Sequence, residues 1–146
     1  MRRFYGIAAG AAVVATLSLA ACTSAREETK TFHATLNAAQ EVPPVESKGQ
    51  GTADLKLDAK SKQLTWNVTY SGLSGDAAAA HIHGPAAPGA NAGVVVNLAP
   101  NGVKNPIQGS ATLTDAQIAD LIVGKDYINV HTAANKGGEI RGQITP

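Results

Sequence analysis

One cysteine, one methionine and one tryptophan stand among 146 residues. A single thiol can neither close an internal disulfide nor build a cysteine-based zinc site. Aromatic residues make up 4% of the chain, too few for an extended sugar-stacking surface. Charge is also scarce: 16% of residues are charged and the formal net charge is +1, which excludes an electrostatic nucleic-acid binder. There is no Gly-x-Ser-x-Gly elbow, and the Gly/Pro-rich stretch 84–93 has no phosphate-cradling lysine. What the chain does have is turn formers, with 15 glycines and seven prolines, and 44% hydrophobic residues. That composition buries a core and favours an all-β domain over a helical bundle. The length suits one domain.

The first 21 residues read as an address. Arg2 and Arg3 precede an apolar run, Gly6 to Ala21, interrupted only by Thr16 and Ser18. The run is short for a permanent membrane span and matches a secretory signal. Leu19-Ala20-Ala21-Cys22 has the form of a bacterial lipobox. It predicts cleavage before Cys22, lipidation of that cysteine, and a polar tether over residues 22–30. Acyl chains contribute about 0.8 kcal/mol per buried methylene, so several of them hold a protein firmly on a membrane. Thr23, where an Asp would signal inner-membrane retention, favours the outer membrane in a Gram-negative host. Cleavage removes Arg2 and Arg3 from the twelve basic residues and leaves ten against eleven acidic ones. Met1 goes with them, so metal chemistry in the mature domain falls to nitrogen and oxygen ligands.

From residue 31 to 146 the chain alternates short apolar-polar runs with turn signals. Strands are expected at Thr31 to Leu36, Thr52 to Leu57, Leu64 to Tyr70, Ala77 to His83, Gly93 to Leu98, Ser110 to Leu113, Tyr127 to His131 and Glu139 to Ile144. One helix is expected after Thr114, where Thr114-Asp115-Ala116-Gln117 forms a capping box and Ile118, Leu121 and Ile122 share a face. About eight strands and one short helix, with no internal repeat, predict an antiparallel Greek-key sandwich or barrel.

Four motifs stand in order along this stretch: Glu41-Val42-Pro43-Pro44-Val45, His81-Ile82-His83-Gly84-Pro85, Tyr127-Ile128-Asn129-Val130-His131-Thr132, and Gly138-Glu139-Ile140-Arg141-Gly142-Gln143-Ile144. Together they resemble the CHRD domain, named for the repeats of chordin and found singly in many bacterial secreted proteins. The resemblance covers residues 31–145. It departs at Asn135-Lys136-Gly137, where the family often has Asn-Pro. His33 lies outside the family pattern and reads as a solvent-facing strand residue. The resemblance implies fold and location; a family name does not by itself assign a function.

Residues two apart on a strand share a face. His81 and His83 therefore point one way and Ile82 the other. In the later strand Ile128 and Val130 share one face, and Tyr127, Asn129 and His131 share the opposite one. With the aliphatic residues in the core, all three histidines face away from it, as do Glu139, Arg141 and Gln143. If the surfaces meet, His81, His83 and His131 form a site for Zn²⁺ or Cu²⁺, three imidazoles with one open position being a known zinc arrangement. The affinity order for such ligands favours Cu²⁺, and a blue-copper site is excluded for want of a thiolate. A His-x-His strand with a third histidine and a late arginine is similar to the plan of copper–zinc superoxide dismutase. This chain lacks that family's cysteine pair and its fuller ligand set. The same histidines, with Glu139 and Arg141, also fit a purely structural network that pins the last strands.

Three functional readings follow. The first is a lipid-anchored envelope module, non-catalytic, that binds a protein partner or serves a structural role. The second is an envelope copper or zinc protein using His81, His83 and His131, whose affinity falls below about pH 6.5 as imidazoles protonate. The third is a redox enzyme at such a metal.

Overall fold

The computed structural model describes residues 28–146. The expected signal segment, the lipobox with Cys22 and most of the expected tether lie outside the described residues. Among the described residues are eight strands and one α-helix: β1 (Thr29–Asn37), β2 (Gln50–Asp58), β3 (Gln63–Ser71), β4 (Ala77–His83), β5 (Val94–Asn97), β6 (Ile107–Thr112), α1 (Asp115–Ile122), β7 (Tyr127–Thr132) and β8 (Ile140–Gln143). β1 starts at Thr29, so the last two residues expected in the tether are already strand. They pair with Asp58 and Leu57 of β2.

All neighbours are antiparallel, in the order β5-β4-β7-β8-β1-β2-β3-β6, and the sheet curls into a nearly closed barrel. β1, β2 and β3 form a meander, and β6 returns to pair with β3. The chain leaves β3 for the far half of the sheet, where β4 lies between β5 and β7. The halves meet where Asn37 pairs with Arg141 and His33 bridges to Thr145.

Alternation decides the interior. Phe32, Leu36, Leu55, Leu57, Leu64, Trp66 and Val68 fill it from one half; Ala80, Ile82, Ile128, Val130, Ile140 and Ile144 fill it from the other. The Trp66 indole N–H donates to the Leu98 carbonyl at 3.2 Å, which satisfies its one polar atom. The expected capping box is present: the Thr114 hydroxyl accepts from the Gln117 N–H, and the Gln117 side chain accepts from the Thr114 N–H. α1 buries Leu121 and carries the chain from β6 to β7.

One expectation changes. The face of β4, β7 and β8 that points away from the core is not open surface. Every residue of β7 is buried, and Glu139 and Arg141 are too. Loops fold over that face. Arg141 donates to the Ala90 carbonyl and the Asn91 side chain, and Gln143 to the Ala86 and Gly124 carbonyls. The Asn91 amide in turn donates to the Val42 carbonyl. Period-two alternation separates the two faces of a sheet but carries no information on what loops cover the second one.

Candidate metal centre

The outward rows of the sheet are set by the β4–β7–β8 register. Ala79 lies opposite His131, His81 opposite Asn129, and His83 opposite Tyr127. On the other side of β7, Asn129 lies opposite Arg141 and Tyr127 opposite Gln143. Residues opposite or diagonal to one another on neighbouring strands are within side-chain reach. His81 is therefore diagonal to His131 and meets it, although 50 residues separate the two in the chain. His83, two residues further along the same face of β4, brings its ring centre to 6.2 Å from that of His131. His81, His83 and His131 each offer a ring nitrogen such that all three lie within 4.8 Å of one another. The His81 and His131 rings are 4.9 Å apart, and His81 and His83 are 5.5 Å apart in an edge contact.

The second nitrogen of two rings is held by backbone. His83 Nδ1 lies 3.0 Å from the Ala92 carbonyl, and His131 Nδ1 lies 3.0 Å from the Lys136 carbonyl. A carbonyl can only accept, so both Nδ1 atoms carry the proton and both Nε2 atoms present lone pairs. Such an outer hydrogen bond is what fixes the tautomer and orientation of a metal-bound imidazole. His83 Nε2 is buried and has no partner. His131 Nε2 faces His81 Nδ1 at 3.0 Å.

These distances suit one ion. Two nitrogens 3.0 Å apart subtend roughly 95° at a metal about 2.0–2.1 Å from each. Tetrahedral donors on one such ion lie about 3.3–3.4 Å apart, so the 4.8 Å separation has to close by roughly 1.4 Å, through rotation of the imidazole side chains. Protonation is also favourable. Burial holds His81 below the usual imidazole value, and the neighbouring His131 and His83 lower it further. Burial lowers His131 as well, against the Lys136 carbonyl, which raises it, and with His83, which lowers it. Neutral imidazoles are the ligating form.

A stack supports the third ligand. The Tyr127 ring lies parallel to His83, 5.0 Å away, and the Arg141 guanidinium lies over the other side of Tyr127. The Tyr127 hydroxyl accepts from the Ala92 N–H, so one loop residue contacts both rings. Arg141 thus binds loop 84–93 and Tyr127.

Glu139 is fully buried and makes a separate hub. Its carboxylate accepts from the Ser47 hydroxyl, the Ser74 hydroxyl and N–H, the Thr132 hydroxyl and the Asn135 amide. Burial alone would push this carboxyl up; the donors from Ser47, Ser74 and Thr132 outweigh it and hold it at about 2. The hub fixes the β7–β8 loop, whose Lys136 carbonyl orients His131. His33 is exposed, bonds Asp54 at 2.7 Å and is remote from the cluster in the sheet.

Two residues near the centre were not singled out by sequence. Glu41 ends a short 3₁₀ turn through its backbone, and its side chain is buried beside Gly138 with Oε1 unpartnered. Burial raises its carboxyl to about 7 against the lowering effect of Arg141 and the Val42 N–H. Asn129 is 3% exposed, and its Oδ1 is likewise unpartnered. An amide between two aliphatic residues on a strand, at the parity of His131, was the available signal.

The architecture defines a class: a single antiparallel β-barrel domain with a loop-covered histidine cluster on the outer face of one half. The CHRD domain family model matches residues 32–144, and the chain belongs to that family. Comparison with curated proteins and with solved structures returns no match.

Proposed function

We propose that this protein is a lipid-anchored module of the bacterial cell envelope, non-catalytic, that binds a divalent transition metal, Cu²⁺ or Zn²⁺, through His81, His83 and His131. The observation that carries the reading is the convergence of three ring nitrogens within 4.8 Å, two of the rings being oriented by backbone carbonyls. Cu²⁺ is preferred on the general affinity order for nitrogen ligands. The anchor rests on Leu19-Ala20-Ala21-Cys22, and outer-membrane placement in a Gram-negative host rests on Thr23. Glu139 and Arg141 are structural: the carboxylate holds the loop behind His131, and the guanidinium holds loop 84–93.

Calorimetric titration with Cu²⁺ and Zn²⁺ tests the metal, with His81→Ala/His83→Ala run beside the wild type. One-to-one binding that the double variant loses supports the reading. No binding, with a variant that is merely less stable, makes the histidines structural and turns the search to an envelope protein partner. Turnover by the copper-loaded protein would remove the word non-catalytic. For the anchor, mass spectrometry of the mature chain should find an acylated Cys22 as its first residue, and Cys22→Ser should release the protein from membranes.

A further inference from the structure

Asn129 occupies the position on β7 directly opposite His81 and two residues from His131, on the face that carries all three histidines. It is 97% buried by its 3% exposure, and its Oδ1 has no hydrogen-bond partner. A buried unpartnered acceptor costs about 1–3 kcal/mol, so its retention needs a reason.

The other end of the amide explains why the oxygen does not turn away. Asn129 Nδ2 donates to the Gly137 carbonyl at 3.3 Å. It also packs over Gly138, where a Cβ would approach it to 2.6 Å and collide with Glu41 as well. Gly138 has φ +129, a conformation that favours glycine. The backbone therefore makes room for the Asn129 amide nitrogen on the loop side and leaves the oxygen as the unpaired end.

Three buried atoms near this cluster lack partners, Glu41 Oε1, His83 Nε2 and Asn129 Oδ1. Glu41 Oε1 packs over Gly138 beside the amide nitrogen of Asn129, which leaves His83 Nε2 and Asn129 Oδ1 as the two lone pairs on the histidine-bearing strands. A single cation beside His81 and His131 satisfies both. Three imidazoles leave a position for a further ligand, and a carboxamide oxygen is a donor that both Cu²⁺ and Zn²⁺ accept. We propose that the Asn129 side-chain oxygen is the fourth protein donor of this centre, making it a three-nitrogen, one-oxygen site. The inference rests on the metal reading above and adds to it the residue that fills the fourth place.

The test compares wild type, Asn129→Leu and Asn129→Asp for Cu²⁺ affinity by competition titration, for the Cu²⁺ electron paramagnetic resonance spectrum, and for thermal stability without metal. Asn129→Leu keeps the side chain's approximate size and removes the oxygen together with the amide N–H that donates to Gly137. Its expected behaviour is binding weakened about tenfold or more, altered copper hyperfine splitting, and metal-free stability close to that of wild type, the lost long hydrogen bond being offset by removal of the unpartnered buried oxygen. Asn129→Asp retains an oxygen donor and adds charge, so it should bind at least as tightly as wild type. If Asn129→Leu does not fold, the Asp variant decides: weaker binding with a wild-type spectrum overturns the assignment. So does an Asn129→Leu protein with wild-type affinity and spectrum, or one whose weaker binding comes with lower metal-free stability and an unchanged spectrum. A wild type that takes up neither Cu²⁺ nor Zn²⁺ overturns the metal reading itself, and this assignment with it.

Discussion

The Arg141 guanidinium carbon lies 3.4 Å from the centre of the Tyr127 ring, and the opposite face of that ring stacks on His83. The cation is buried, with 2% exposure, so the contact operates away from water, where cation–π attraction reaches about 2 kcal/mol. Arg141 also holds the Ala90 carbonyl at 2.6 Å and the Asn91 oxygen at 3.0 Å. One side chain thereby joins loop 84–93, the Tyr127 ring and, through that ring, a candidate ligand.

Arg141→Met should release loop 84–93 and loosen His83 without touching a ligand atom. The expected outcome is a stability loss of about 2–3 kcal/mol, faster proteolysis within 84–93, and Cu²⁺ affinity lowered about tenfold. Arg141→Lys should recover little, since an ammonium cannot reproduce the planar fork and ring stacking. Limited proteolysis and titration of both variants measure this.

Glu41 should make the protein less stable as pH rises through neutrality. Its folded-state carboxyl is raised from 4.5 to about 7. Between those values the folded chain holds a proton that the unfolded chain has released. The contribution is complete below about pH 4.5 and is lost as pH rises through about 7. Glu41→Gln keeps the shape, removes the titration and should raise stability at pH 8 by ~1–2 kcal/mol. Denaturant melts of both proteins from pH 5 to pH 8.5 would show the difference growing with pH; a constant difference would contradict it.

Glu139 should behave oppositely. Its carboxyl is lowered from 4.5 to about 2, so the unfolded chain takes up the proton first on acidification. Its contribution is present above about pH 4.5 and is lost as pH falls towards 2. Glu139→Ala strands donors from Ser47, Ser74, Thr132 and Asn135 and should cost about 3 kcal/mol at pH 7. Because the Lys136 carbonyl rides on the same loop, the variant should also lose metal affinity. Chemical denaturation and copper titration of the same preparation separate the two effects.

Metal should leave on acidification, and later than an ordinary histidine site would release it. His81 and His131 are both held below the usual imidazole value, so their protonation competes with the ion only below about pH 6.5. Without metal the unfolded chain protonates these imidazoles first, and stability should fall as pH drops through the same region. A pH titration of copper-bound absorbance beside metal-free thermal melts checks both slopes.

Gly109→Ala should disturb the opposite half of the barrel and leave the centre alone. A Cβ there would lie 2.6 Å from the Trp66 ring, and Trp66 is held by core packing and its bond to Leu98. Overpacking of this kind costs about 1–3 kcal/mol. Tryptophan fluorescence and melting temperature should change while copper affinity stays the same.

Much of this protein follows from local pattern. Alternation at Phe32, Ala34 and Leu36, at Leu64, Trp66 and Val68, and at Ile128 and Val130 places strands and their inward faces, because a pleated strand has a side-chain period of two. Thr114 and Gln117 mark the helix start because the hydrogen bonds that cap it are made within four residues. The same parity puts His81, His83 and His131 on the outward face. Tertiary structure alone decided that β4 and β7 are neighbours in a register that sets His81 against Asn129, since pairing between distant strands follows from how the chain crosses the barrel. It also decided that loops cover that face, turning residues read as surface polar groups into the buried Arg141, Asn129 and Glu139. Glu139 has donors from three separate segments, and Glu41 loses its water only when the β7–β8 loop closes beside it. A one-dimensional period specifies direction; burial, charge state and convergence depend on what arrives from elsewhere in the chain.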